Sequence, residues 1–413
     1  MNEAAAELPG FARLHPLAPD ALAQGTLQLM WELQAMLAEI GGMHATTLQP
    51  AAGAHGELTG ILVIRAYHRA PGDLAQDEVI VPDSSHGTNP ATASMAGFRT
   101  VTIPSAADGG VDVDALRAAL GPRTAAVMLT NPSTLGLFER RITEVLEATH
   151  AAGGLAYMDG ANMNAILGRF RPGAARFDVI LQLPTRRSPR PHTAVVGPVP
   201  APWPLPSTSR RTSPSRSWCA RTTAASGSSG QGSDPGRSAG CAPTRAAWAS
   251  WSVHTHTSGR MAVRGCDAVS EDAVLAANYL RQRVGEAWEL PYPGPCKHEF
   301  VASGRRLREE TGVRTLDVAK RLIDHGFHPP TIYFPLIVEE CLLVEPTETE
   351  TLEDLDAFAE ALLAVALEAH ERPELLHEAP LTTPVRRLDE ATAARRPELR
   401  WRPMTGAETP CPQ

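Results

Sequence analysis

Residues 124–159 read TAAVMLTNPSTLGLFERRITEVLEATHAAGGLAYMD. The stretch opens on an apolar run (124–130) and closes on another (154–159, GLAYMD). Between them, ERRITEVLEATHAAG (139–153) repeats its apolar residues at helical spacing. Two buried strands separated by one helix predict a parallel pair joined by a crossover. The same alternation continues outward. EVIVP (78–82) precedes NPATASMAGF, and RTVTIP (99–104) precedes VDVDALRAAL. Further upstream, 19–40 places Leu29, Leu33, Met36, Leu37 and Ile40 on one helical face, and Gly41-Gly42 stops that helix. LQPAAGAHGELTGILVIRAYH (48–68) reads as a small-residue turn feeding a second helix. The fold class is therefore α/β, with a mainly parallel sheet covered on both faces.

A second pattern occupies the C-terminal part. VSEDAVLAANYLRQRV (269–284) predicts a helix capped by Ser270, with acids in its first turn. TLDVAKRLIDHGF predicts another helix. TIYFPLIV and CLLVEP read as strands, and TLEDLDAFAEALLAVALEAH as a long helix. These pieces predict a smaller α+β domain, followed after Arg372 by a loose tail rich in Pro, Arg and Glu.

The chain has 413 residues, 43% hydrophobic, with a formal net charge of -8. No apolar run reaches the roughly 20 residues that span a bilayer. MNEAAAELPGFARLHP lacks the basic and apolar regions of a signal peptide. Six cysteines without regular spacing point to reduced thiols and a cytoplasmic setting.

One segment breaks these averages. Residues 184–266 hold eleven arginines, no lysine and one acid, Asp234, for a net charge of +10. The rest of the chain must then carry -18. The segment contains no Ile, Phe or Tyr and shows no helical or strand period, so little regular structure is expected there.

Polar residues gather where the parallel strands should end. PDSSHGTNPATA (82–93) places Ser84, Ser85, His86, Thr88 and Asn89 between a strand and a helix, the usual ligand position in such sheets. Asn89-Pro90 is equally a structural helix start. AAGAHGE (51–57), with Ala54 and His55, can offer backbone N–H groups to an anion, or be only a small-residue turn. TNPSTLG (130–136) occupies a third strand end. Asp159 closes an apolar strand, where a buried carboxylate requires a partner; a protonated pyridine nitrogen or a helix cap would serve. The scattered histidines, His325 and His328 included, show no third ligand, so no metal is assigned.

Taken together, the strings LPGFARLHP, TLQPAAGAHGELTG, DSSHGTNPATASMAGF, LTNPSTLGLFE, YMDGANMNAI, VSEDAVLAANYL and HPPTIYFPLIVEECLLVEPTETET resemble the pyridoxal-phosphate-dependent glycine decarboxylase, the P-protein of the glycine cleavage system. The likeness is to its C-terminal half, a separate subunit 2 chain in many bacteria, and covers residues 8–180 and 268–402. The resemblance implies an aspartate-aminotransferase-like fold (PLP fold type I) that binds pyridoxal 5'-phosphate. It implies that the turn at Ala54 and His55 holds the cofactor phosphate. His86 would stack on the pyridine ring, with Ala161 against the other face. Asp159 would pair with the ring nitrogen, and Thr134 would lie near the ring oxygen. It further implies glycine as substrate and a lipoylated H-protein as acceptor of the aminomethyl group. A companion P-protein subunit 1 would complete a heterotetramer. Neither nucleic acid nor membrane is an expected partner.

The family also has a Schiff-base lysine, in HKTF…PHGGGGPG, some 25–30 residues after the aspartate. Here that position is Arg186, and the chain's only lysines, Lys297 and Lys320, match no part of the motif. Arginine stays protonated and is no nucleophile at neutral pH. The surrounding string suggests why. Pro184-Thr185-Arg186-Arg187 written CCC ACA AGA CGT becomes, one base out of step, CAC AAG ACG, which is His-Lys-Thr. The same shift can carry this stretch to HKTFSTPPHGGGGPGAGPV, and WASWSVHTHTSGRMAVRG (248–265) to GILVRAHTYIRAHGGAG. Residues 184–266 are thus expected to be out of frame. The chain is also expected to lack N-terminal residues that precede LPGFARLHP in the family.

The expected organisation is an N-terminal helical segment (1–42), a large cofactor-binding domain (43–183), the anomalous segment (184–266), a small domain (267–371) and an extended tail (372–413). Two further readings stay open. One is a non-catalytic partner-binding subunit or pseudogene product. The other is another enzyme of the same fold, such as an aminotransferase or a cysteine desulfurase.

Overall fold

A computed structural model of the chain describes residues 8–15, 18–50, 52–70, 75–182, 194–197 and 263–400. The first long helix, α1 (Gln24–Gly41), ends on Gly42, whose φ of 67° is the left-handed C-cap that glycine adopts without strain. Strand β1 (Ala45–Thr47) leads to α2 (Gly53–Arg69). Then β2 (Glu78–Pro82), α3 (Thr88–Met95), β3 (Arg99–Ile103), α4 (Val113–Ala119), β4 (Thr124–Thr130), α5 (Ile142–Ala151), β5 (Leu155–Gly160) and β6 (Val179–Gln182) follow in turn. Strand β7 is Ala194–Gly197.

Seven strands form one sheet in the order β1-β7-β6-β5-β4-β2-β3. β3, β2, β4, β5 and β6 run parallel; β7 is antiparallel to both its neighbours. The expected α/β class and mainly parallel sheet are therefore present. Side chains alternate between two cores. Val79, Val81, Met128 and Tyr157 face Ile61 and Ile64 of α2. Ile80, Val127, Leu129 and Met158 face Leu116, Val145 and Leu146 of α4 and α5. α2 sits close to the sheet because Gly60 has no Cβ; one placed there would lie 2.6 Å from Tyr157 Cε2.

The C-terminal part contains α6 (Val263–Val284), β8 (Phe300–Ser303), α7 (Arg305–Thr311), α8 (Thr315–Asp324), β9 (Thr331–Ile332), β10 (Cys341–Val344), α9 (Leu352–Glu371) and α10 (Pro373–Glu378). Strands β8-β10-β9 make an antiparallel sheet packed on helices around Leu280, Val284, Leu322, Leu342, Leu362 and Val365.

Four sequence expectations need correction. Ser270 is not a cap: α6 begins seven residues earlier, and the Ser270 hydroxyl donates to Leu167 O at 2.9 Å. TIYFPLIV is a strand only at Thr331–Ile332, because Tyr333 turns to a φ of 57° and Pro335 has no N–H to give a ladder. The segment expected to lack regular structure supplies β7, whose AVVG run fills the gap between β1 and β6; α6 also begins inside it. The rest of it, residues 184–193 and 198–262, lies outside the described residues. The extended tail begins too early, since α10 buries Leu376 completely in the small-domain core. No helix among the described residues is long and apolar enough to cross a membrane.

Candidate functional site

Parallel strands deliver their carboxyl ends to one side of the sheet. Here β2 runs into the Ser84–His86 turn, β4 into the loop from Asn131, and β5 into Asp159-Gly160-Ala161. Register pairs Thr130 directly with Asp159. The Thr130 hydroxyl binds these ends together. It donates to Asp159 Oδ2 at 3.5 Å and accepts from Asn89 Nδ2 at 3.1 Å and from His86 N at 3.3 Å. Asp159 is buried, and its Oδ1 accepts from Ala161 N at 3.1 Å.

His86 is exposed and meets the edge of Phe334 with ring centroids 5.6 Å apart. Its Nδ1 lies 2.6 Å from Thr88 Oγ1, which donates to Glu57 Oε1 at 2.5 Å. Glu57 stands on α2 just beyond Ala54 and His55, which are exposed in its first turn. Ala52, the N-cap residue, contributes no side-chain cap. Thr134 is buried and spends its hydroxyl on Ser84 O at 2.7 Å, pinning the loop after β4 to the loop after β2. The structure thus gathers His86, Thr134, Asp159 and Ala161 at one end of the sheet. Ala54 and His55 stand on α2 within three residues of Glu57. Arg186 lies outside the described residues.

Electrostatics single out Glu57. Its carboxyl is pushed up to about 8, first by burial and then by the neighbouring Asp159 carboxylate, while the Thr88 hydrogen bond acts the other way. Tyr157, wholly buried beside both acids, is raised well above the usual phenol range, chiefly by burial. Sequence reasoning missed Glu57, Tyr157 and Phe334 as members of this site. For Glu57 a signal existed, an acid on the face of a helix that must cover an apolar sheet. Its pairing with Thr88, distant in sequence, had none.

A second polar group lies toward the small domain. His298 Nε2 is 3.4 Å from Glu299 Oε1 and 3.9 Å from Glu345 Oε1, and Asn162 Nδ2 donates to Glu299 at 3.2 Å. Cys296 and Cys341 are buried, with thiols pushed up to about 11 and about 12 by burial. Such thiols stay protonated at neutral pH, which removes both as the mobile nucleophile of a desulfurase.

The donor set fits pyridoxal phosphate. A buried carboxylate stands at a strand end, a helix start lacks a side-chain cap, and Ala161 puts only a methyl group beside the carboxylate. The buried Ser85 hydroxyl has no partner among the described residues.

The fold and this strand-end site define a class, the type I fold of pyridoxal-phosphate enzymes. Among solved structures, the chain matches a glycine decarboxylase (P-protein) of the glycine cleavage system with a TM-score of 0.65 at 19% identity, covering 88% of this chain and 81% of that one. A cysteine desulfurase from Escherichia coli matches with a TM-score of 0.62 at 18% identity over 89% of this chain and 91% of that one. These likenesses establish the fold.

Sequence relatives narrow the class. Residues 269–379 match the family model for the glycine dehydrogenase C-terminal domain. The probable glycine dehydrogenase (decarboxylating) subunit 2 of Halalkalibacterium halodurans is 50% identical over 408 residues, covering 98% of this chain and 82% of that protein. The corresponding protein of Caldanaerobacter subterraneus subsp. tengcongensis is 49% identical over 415 residues, covering 97% and 82%. The chain belongs to the glycine dehydrogenase (decarboxylating) subunit 2 family.

Proposed function

We propose that the chain is the cofactor-binding subunit of a glycine decarboxylase. In this reading glycine loses its carboxylate as CO2, and the aminomethyl group passes to the lipoyl arm of an H-protein. A companion subunit 1 completes the heterotetramer. The observation that carries the proposal is the buried Asp159 carboxylate at the end of β5, held by Thr130 and Ala161 N beside His86. Bound pyridoxal phosphate supplies an electron sink for the carbanion left by decarboxylation. Asp159 would hold a proton on the pyridine nitrogen. His86 would cover one ring face, and Ala161 would allow close approach on the other. The first-turn amides of α2, at Ala54 and His55, would take the phosphate. Thr134 would set the loop beside the ring oxygen. The free thiols of Cys296 and Cys341 support a reducing, cytoplasmic setting.

Activity is impaired in this reading, because Arg186 stands where the lysine belongs. We attribute this to residues 184–266 being read out of frame. Resequencing the gene across Leu181–Cys266 tests that attribution directly; an unambiguous single-frame read overturns the sequencing-error version. A second experiment compares this chain with one whose 184–266 segment is returned to the family frame. Both are mixed with pyridoxal phosphate, reduced with borohydride and weighed. The restored chain is expected to gain the mass of the reduced cofactor at its new lysine, and the present chain to gain none. Covalent capture by the present chain overturns the impairment. No capture by a folded restored chain overturns the cofactor reading.

A further inference from the structure

Thr88 Oγ1 sits between two titratable groups, 2.5 Å from Glu57 Oε1 and 2.6 Å from His86 Nδ1. A threonine hydroxyl has one proton to donate, so it serves one neighbour at a time. When Glu57 is ionised it can only accept. Thr88 then donates to it, His86 Nδ1 must carry a proton to donate to Thr88, and neutral His86 is left with a bare Nε2.

When Glu57 is neutral the direction reverses. A proton on Oε2 would be a buried donor without a partner, because that oxygen has none among the described residues. The proton belongs on Oε1, where it donates to Thr88. Thr88 then donates to His86 Nδ1, which also accepts from Thr88 N at 3.4 Å. His86 now carries its proton on Nε2.

We infer that Glu57 and His86 act as one proton-exchanging unit through Thr88, so that loss of a single proton turns His86 Nε2 from a donor into an acceptor. One proton leaves from His86 Nε2, the Glu57 and Thr88 protons each move one place along the chain so that Nδ1 gains one, two hydrogen bonds reverse, and the long Thr88 N–H contact to Nδ1 is given up. Glu57 is faced by Asp159 and Tyr157 from β5, and by Thr88 and His86 at the start of α3. Strands β4, β6 and β7, which also pack on α2, bear no titratable side chain. Burial and the Asp159 charge both favour the neutral Glu57 at neutral pH. The switch therefore leaves Nε2 a donor there and makes it an acceptor only at alkaline pH. Glu57 and Thr88 are positioning residues for His86. This inference deepens the proposed function, since it assigns proton handling to the same site.

The full chain labelled with 15N-histidine, without cofactor, tests it by long-range 1H–15N spectra between pH 7 and 9.5. His86 is expected to move from the Nε2–H to the Nδ1–H tautomer across this range. Thr88→Val should hold one tautomer throughout, and Thr88→Ser should restore the change. An Nε2–H signal that persists to pH 9.5 in the unaltered chain overturns the inference. So does a folded Thr88→Val chain that still switches. Because no cofactor is present, failure here is separate from failure of the cofactor reading, which the borohydride experiment decides.

Discussion

Asp159, at the end of β5, and Glu57, on α2, are two buried carboxyl groups at one end of the sheet, and burial and the Asp159 charge push Glu57 up. Asp159 accepts from the Thr130 hydroxyl and Ala161 N, whereas among the described residues Glu57 accepts from Thr88. Replacing Asp159 by Asn removes a charged partner, and hydrogen bonds to charged groups contribute about 1.5–3 kcal/mol. Affinity of the chain for pyridoxal phosphate should fall about tenfold or more, measured by quenching of intrinsic fluorescence. Glu57 also has a consequence for stability. Its folded-state value, about 8, lies above its ordinary value of 4.5, so the folded chain holds the proton longer than the unfolded one. Stability should therefore decline as pH rises from about 4.5 through about 8, and level off above. Glu57→Gln should flatten that decline, a difference visible in urea unfolding at pH 5, 7 and 8.5.

At the scale of elements, the alternating cores of β2, β4 and β5 were legible in the sequence, because a strand buried on both faces is apolar at every position. The N-terminus of α6 was not legible. Ser270 with acids behind it looks like a cap, but its hydroxyl reaches Leu167 O, a tertiary contact. Between the two sheets, Gly136 has a φ of 76°, and a Cβ there would lie 1.8 Å from Glu299 O. A left-handed residue with a side chain costs roughly 1–2 kcal/mol before any clash. Gly136→Ala should thus destabilise the chain by ~2 kcal/mol or more and displace the loop that carries Thr134. Chemical denaturation reads the first effect, and weakened cofactor binding the second.

For the whole molecule, the small-domain core extends past the expected boundary. Leu376 and Ala379 are fully buried, and Arg387 donates to Leu376 O and Ala379 O at 2.7 and 2.8 Å. Ending the chain after Leu388 should leave the thermal midpoint nearly unchanged, since residues 389–400 are exposed. Ending it after Arg372 should lower the midpoint sharply, because losing a buried leucine side chain alone costs about 2–5 kcal/mol. Thermal unfolding of the two truncated chains checks the contrast.

What the sequence determined by itself was local and periodic. Apolar runs separated by helical spacing dictate a parallel α/β sheet, and the geometry of such a sheet dictates that Ser84–Asn89, Thr130–Thr134 and Asp159 meet at its carboxyl edge. Composition alone also exposed the break at 184–266. Only the tertiary structure decided which of the gathered groups touch. The path from Glu57 through Thr88 to His86 joins a helix to a distant turn, and no periodicity records the rotation of that helix about its axis. Packing against Tyr157 through Gly60 sets the rotation, and with it the burial that holds a proton on Glu57.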